Sequence, residues 1–89
     1  MFESRIRLGI MSALMVADEL DFNAMKQTLD VTDGNLASHI AALENEGYVK
    51  VKKTFVGKKP LTTYSVTVSG RRAFTEHLDA LERLIKTSL

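Results

Sequence analysis

Apolar residues recur along the first twenty positions at helical spacing. Phe2, Ile6, Ile10, Ala13, Leu14 and Ala17 fall on one stripe, and Leu8, Met11 and Met15 on a second. The pattern predicts a first helix over about 3–19 that is apolar on two sides and therefore wants two neighbours. A short helix over about 24–29 follows, with Asn23 as its expected cap and Met25–Leu29 as an i, i+4 pair. Asp30-Val31-Thr32 makes a tight connection to a third helix over about 33–46. Thr32 is placed to cap that helix, and Asp33 sits near the positive end of its dipole. Leu36, Ile40 and Leu43 form its inward stripe, and Gly47 fits a left-handed stop.

From Tyr48 the period changes to two. Val49 and Val51 alternate with Lys50 and Lys52, the pattern of a half-buried strand. Val56-Gly57-Lys58-Lys59-Pro60 reads as a turn, and Leu61 to Val66 as a returning strand with Tyr64 and Val66 inward, so the hairpin covers about 48–66. Thr67 is the expected cap of a last helix over about 68–88. There Phe74, Leu78, Leu81 and Ile85 are spaced four, three, four, a heptad-like seam widened by Leu84 and Leu89. The fold class is α+β and mostly α, in the order helix, helix, helix, strand, strand, helix. Neither a repeat nor a linker divides residues 1–89, so one domain is expected.

Composition narrows the classes of function. With 45% hydrophobic and 26% charged residues, the 89-residue chain is expected to fold. The absence of cysteine removes disulfides, thiolate metal sites and a thiol redox switch. No apolar run approaches the roughly 18 residues of a membrane span. Glu3, Arg5 and Arg7 interrupt the apolar start, so no signal peptide is expected and a cytoplasmic location is. Neither an assembled nucleophile and base nor a phosphate-cradling glycine loop is present, so neither catalysis nor a cofactor is expected. His39 and His77 lie on different helices without paired carboxylates at ligand spacing, and a metal site is not expected. Met1, Met11, Met15 and Met25 read as filler of core and interface.

Charge changes the picture more. The net charge is only +1. Yet residues 1–46 carry three basic and eight acidic side chains, whereas residues 47–75 carry seven basic and no acidic ones: Lys50, Lys52, Lys53, Lys58, Lys59, Arg71 and Arg72. Such a segment is either an electrostatic footprint for a polyanion or a solvated hairpin that uses lysines to block edge pairing. On the third helix Gly34, Asn35, Ser38, Ala42 and Asn45 lie opposite the apolar stripe, with His39 at the flank. Short polar groups let a helix sink into a major groove about 12 Å wide and reach base edges, where Asn pairs with adenine and Ser serves either base type. Two short helices, a tight connection and a basic hairpin are together the order of a winged helix-turn-helix.

The residues resemble a known family. Asp33-Gly34-Asn35-Leu36-Ala37-Ser38-His39-Ile40, Leu43-Glu44 and Gly47-Tyr48-Val49 look like the recognition helix of small MarR/ArsR-type winged-helix regulators. Gly57-Lys58-Lys59-Pro60, Thr63-Tyr64, Val66-Thr67 and Gly70-Arg71-Arg72-Ala73-Phe74 look like their wing and the start of their last helix. The Asp-x-Arg pair of many MarR wings has no match here, nor do the longer helices of the usual effector pocket. The resemblance implies a homodimeric transcriptional regulator on double-stranded DNA. Gly34, Asn35, Ser38 and His39 would then occupy base-reading positions, and Thr32 with the wing lysines would meet phosphates. Arg71 and Arg72 either join that backbone contact or are simply exposed in the first turn of the last helix.

Pairing is expected through Leu8, Met11 and Met15 of the first helix and Phe74, Leu78, Leu81, Leu84 and Ile85 of the last. The rival functions are a protein–protein module for an acidic partner and a structured-RNA binder. The operator, the regulated genes and any small-molecule effector are not written in the chain.

Overall fold

The computed structural model describes residues 2 and 4–88; the expectations placed on Met1, Glu3 and Leu89 lie outside the described residues. Among the described residues four helices and three strands follow one another as α1 (Arg5–Val16), β1 (Leu20–Asp21), α2 (Phe22–Leu29), α3 (Asp33–Asn45), β2 (Val49–Val56), β3 (Lys59–Val66) and α4 (Val68–Ser88). The sheet is antiparallel in the order β1-β3-β2.

Ser4 starts α1, its hydroxyl accepting from the Arg7 amide at 3.4 Å. The helix stops at Val16 rather than near residue 19 because the next residues are drawn into the sheet. Leu20 pairs with Tyr64 and Asp21 with Thr63, and Ala17 is already extended (φ −101°, ψ 139°). This two-residue strand departs from the sequence pattern, and it moves the cap of α2. Asp21, not Asn23, accepts from the Ala24 amide at 2.7 Å, because the extended end of β1 leaves its carboxylate over the first turn. Thr32 caps α3 as expected, accepting from the Asn35 amide at 3.3 Å. Gly47, at φ 80°, takes the left-handed position after α3. The hairpin is tighter than expected. Val56 pairs with Lys59, so only Gly57 and Lys58 turn the chain, and Pro60 lies within β3 opposite Phe55.

The core is built from Phe2, Ile10, Met11 and Leu14, with Met25 from α2, Leu36, Ile40 and Leu43 from α3, Val49 from β2 and Phe74 from α4. Both apolar sides of α1 are thus covered within the chain: Met11 is 0% exposed, and Leu8 and Met15 pack on the core. Met11 and Phe74, expected at a contact with a second copy, are instead taken up by this chain's own core, at 0 and 2% exposure, whereas Leu8 and Met15 stay partly exposed. Phe2 closes this end of the core, stacked on Tyr48 at 5.6 Å between centroids and edge-on to Phe74 at 5.6 Å.

The junction between α3 and α4 is bonded from both sides. The Thr67 amide donates to the Tyr48 carbonyl at 3.0 Å and its hydroxyl to the Gly47 carbonyl at 2.6 Å, while that same hydroxyl accepts from the Gly70 amide at 2.9 Å. Gly70 is required there, since a Cβ would collide with the Tyr48 carbonyl. Beyond this anchor α4 runs free. Its 21 residues span about 31 Å, and every residue from Leu78 to Ser88 is exposed, which gives the molecule its 55 Å long axis against 26 and 21 Å. Among the described residues no helix is long and apolar enough to cross a membrane.

Candidate nucleic-acid interface

Burial of Leu36, Ile40 and Leu43 fixes how α3 sits, and its remaining sides follow from the 3.6-residue period. Gly34, Asn35, Ala37, Ser38, Ala41 and Asn45 are all exposed. Nothing lies within 4 Å of a Cβ built on Gly34, so no neighbour within the chain demands glycine there. The Asn35 amide is committed to the Thr32 cap, but the side chains of Asn35 and Ser38 face solvent.

His39 is different. It is half-buried, and its Nδ1 accepts a 2.9 Å hydrogen bond from Arg7 Nε on α1. A neutral ring that accepts at Nδ1 carries its hydrogen on Nε2, which leaves one donor for a base or phosphate acceptor. The other histidine, His77, tilts against Phe2 at 5.3 Å. Among the described residues no three His, Cys, Asp or Glu side chains are grouped to hold a metal ion.

The hairpin lies alongside α3. Ala37, Ile40, Ala41 and Glu44 from the helix, with Phe22, form an open groove with Val51, Lys53, Thr62 and Tyr64 from the sheet. Small side chains at positions 37 and 41 keep that groove open. Burial and the adjacent Glu44 carboxylate both raise the Tyr64 phenol pKa above its ordinary value, burial being the larger cause.

Strand alternation sorts the lysines. Val49, Val51, Lys53 and Phe55 share the face of β2 that looks along α3, so Lys50 and Lys52 project from the other face. There Lys52 Nζ lies 3.7 Å from Glu19 Oε1. Of the candidate backbone contacts on β2, only Lys53 therefore lines the groove. Lys58 occupies the turn and Lys59 the first position of β3, and both are exposed at the tip. Thr32 is exposed at the start of α3, while Arg71 and Arg72 are exposed on the first turns of α4, after its Thr67 cap. Near the start of α3, Lys26 Nζ meets Asp33 Oδ1 at 2.6 Å, tying α2 to the first turn.

Arg7, Glu44, Tyr64 and Phe55 join the site only once the chain is folded. Strand parity alone places Phe55 on the same face as Lys53, and the helical wheel places Glu44 beside Ala37 and Ala41. The Arg7–His39 contact leaves no such signal, because it joins residues 32 positions apart.

The sequence matches the family described as winged helix DNA-binding domain over residues 6–85. It is 34% identical over 85 residues to an uncharacterized protein of Methanocaldococcus jannaschii, covering 96% of this chain and 92% of that protein. A transcriptional regulator homologue from Pyrococcus horikoshii OT3 has a similar structure, with a TM-score of 0.85 and 34% identity over 96% of this chain and 89% of that one. A PadR family transcriptional regulator from Eggerthella lenta shares the fold at 19% identity, with a TM-score of 0.78 over 93% of this chain and 77% of that one.

Proposed function

Because the chain belongs to the winged helix DNA-binding domain family, a non-enzymatic class, we propose that it is a sequence-specific regulator of transcription on double-stranded DNA. It acts as a repressor and as a homodimer on a pseudo-palindromic operator. The observation that carries this reading is the pairing of an exposed, small-residue polar ridge on α3 with a cationic hairpin across one open groove. Gly34, Asn35, Ser38 and the Nε2 of His39 read base edges, while Thr32, Lys53, Lys58 and Lys59 fix the helix on the phosphates. Arg71 and Arg72 extend that contact along α4. The motifs of α3 and the wing favour kinship with the small MarR/ArsR-type regulators.

The dimer contact is narrower than the sequence pattern suggests. Leu78, Leu81, Leu84 and Ile85 are 44, 39, 64 and 60% exposed on a projecting helix, and pairing two such helices covers them. Two α3 helices related by a two-fold axis then meet half-sites about one helical turn apart.

Selection of preferred sequences from a random duplex pool, with sedimentation of the free protein, tests the reading. A pseudo-palindromic consensus and a dimeric mass are expected. Loss of all duplex binding even at low salt, or stronger binding to duplex RNA, overturns it.

A further inference from the structure

β2 lies at the end of the sheet order β1-β3-β2, and among the described residues no strand pairs with its outer side. The phase of the ladder decides which backbone groups that side offers. Gly57, at φ 67°, opens a two-residue turn flanked by Val56 and Lys59, which makes those two a hydrogen-bonded pair. Alternation then turns the amides and carbonyls of Lys50, Lys52 and Thr54 toward β3, and those of Val51, Lys53 and Phe55 outward. The Thr67 amide, donating to the Tyr48 carbonyl at 3.0 Å, continues the same phase below the strand. The far side of β3 is better closed: β1 pairs with it at Thr63 and Tyr64, and Pro60 has no amide to offer there.

We propose that the open side of β2 is a docking edge for an acidic, extended segment of another protein, which adds a strand to the sheet. The proposal goes beyond the DNA-binding reading and does not rest on it.

Three observations carry it. Phe55 and Val56 are 74 and 65% exposed on opposite faces of β2, so no flat surface covers both. A strand laid beside β2 does cover both, since its own side chains alternate between the same two faces. Lysines set the sign of that strand. Lys50 and Lys52 border the edge on one face and Lys53 on the other, within a stretch, residues 47–75, that has no acidic side chain. Among the described residues Lys50 and Lys53 have no ion-pair partner. Such an edge repels a second copy, whose β2 would set like charges against like, but it attracts a strand that carries carboxylates. The chain itself supplies a precedent. Its acidic stretch Asp18-Glu19-Leu20-Asp21 ends as β1 on the other side of the hairpin, and Glu19 Oε1 lies 3.7 Å from Lys52 Nζ. Main-chain bonds to Val51, Lys53 and Phe55 give a docked strand its affinity. Carboxylates over the lysines and apolar residues beside Phe55 and Val56 give it its identity.

The test uses the full chain without nucleic acid, so its failure is distinct from failure of the DNA-binding reading. The probe is the capped, fluorescein-labelled peptide Val-Ile-Thr-Glu-Glu-Val-Glu, written to run antiparallel from Val56 to Lys50. Its anisotropy should saturate on titration with protein, and the peptide with Lys in place of each Glu should not bind. N-methylation of its second, fourth and sixth residues blocks the N–H groups that face Phe55, Lys53 and Val51, and should weaken binding at least about tenfold. N-methylation of the third, fifth and seventh blocks N–H groups that face away, and should change affinity by less than about twofold. Lys50→Glu, a charge reversal on the face away from α3, should weaken binding about fivefold at unchanged Tm. A parent peptide that does not saturate overturns the proposal. So do equal affinities for the two methylated isomers, which would leave charge attraction alone. A fall in sedimenting mass on adding the parent peptide would assign the edge to a second copy of the chain, and overturns it as well.

Discussion

Arg7 and His39 are joined by a 2.9 Å hydrogen bond from Nε to Nδ1, which ties α1 to α3. With Nδ1 held by Arg7, Nε2 is the ring nitrogen left to donate, so in the proposed interface α1 would act through His39. Arg7→Lys keeps the charge but loses the Nε geometry. It should cost roughly 1 kcal/mol on the preferred duplex and little on random duplex. Adding His39→Ala should then cost no more, whereas independent effects would add. Anisotropy titrations of the two single variants and the double variant measure the coupling.

Gly34 separates folding from binding. Its surroundings are empty, so Gly34→Ala should raise stability by about 0.5 kcal/mol through helix propensity alone. Gly34→Leu should also fold, yet lose duplex affinity by steric exclusion at the groove. Thermal melts and titrations on the same samples give both quantities. A Gly34→Leu variant that binds as well as the wild type removes this position from the interface.

The lysines divide by face. Replacing Lys58 and Lys59 by Ala should lower the slope of log affinity against log salt by about 1 for each phosphate left unneutralised. Replacing Lys50 and Lys52 should lower it less, since they project from the other face and Lys52 is paired with Glu19. Equal slopes for the two double variants would show that the sorting by strand parity does not govern which lysines meet phosphate.

Tyr64 predicts an alkaline limb of stability. With its folded pKa raised above the ordinary value of about 10, the folded chain holds this proton more tightly than the unfolded chain does. That contribution is complete below pH about 10 and is lost as pH rises through the folded value. Tyr64→Phe should therefore flatten the alkaline decline of Tm. Glu44→Gln should lower the phenol's midpoint only partway, burial being the larger cause, as followed by ultraviolet absorbance.

Gly70→Ala tests the junction. A methyl group driven against the Tyr48 carbonyl should cost about 1–3 kcal/mol, as overpacking does. A fall in Tm of roughly 5 °C or more is expected. An unchanged melt would show that α4 shifts to accommodate it.

The fold is legible in the sequence where a signal is local. Thr32, Gly47 and Thr67 each carry a cap or stop within a few residues, and the structure uses all three as expected. Leu20-Asp21 gives no strand signal because its pairing partners, Tyr64 and Thr63, lie more than forty residues away. Without that strand the cap of α2 falls on the wrong residue. The stripes on α1 and α4 are plain as apolar surfaces, but a one-dimensional pattern does not say whether the neighbour belongs to the same chain. Met11 and Phe74 fill their own core, whereas Leu84 and Ile85 do not. The lysines count as one cluster along the chain, although alternation with Val49 and Val51 already splits them between two faces. Charge counting ignores side-chain parity; packing does not.

The Thr67 hydroxyl, donating to the Gly47 carbonyl just past α3 and accepting from the first turn of α4, links the end of one helix to the start of the other. In the proposed symmetric pair held by α4, the distance between the two α3 helices would then follow from how the two α4 helices clasp. If the proposed pair forms, it would act as a caliper: operators lengthened or shortened between half-sites by a base pair or two would bind far more weakly.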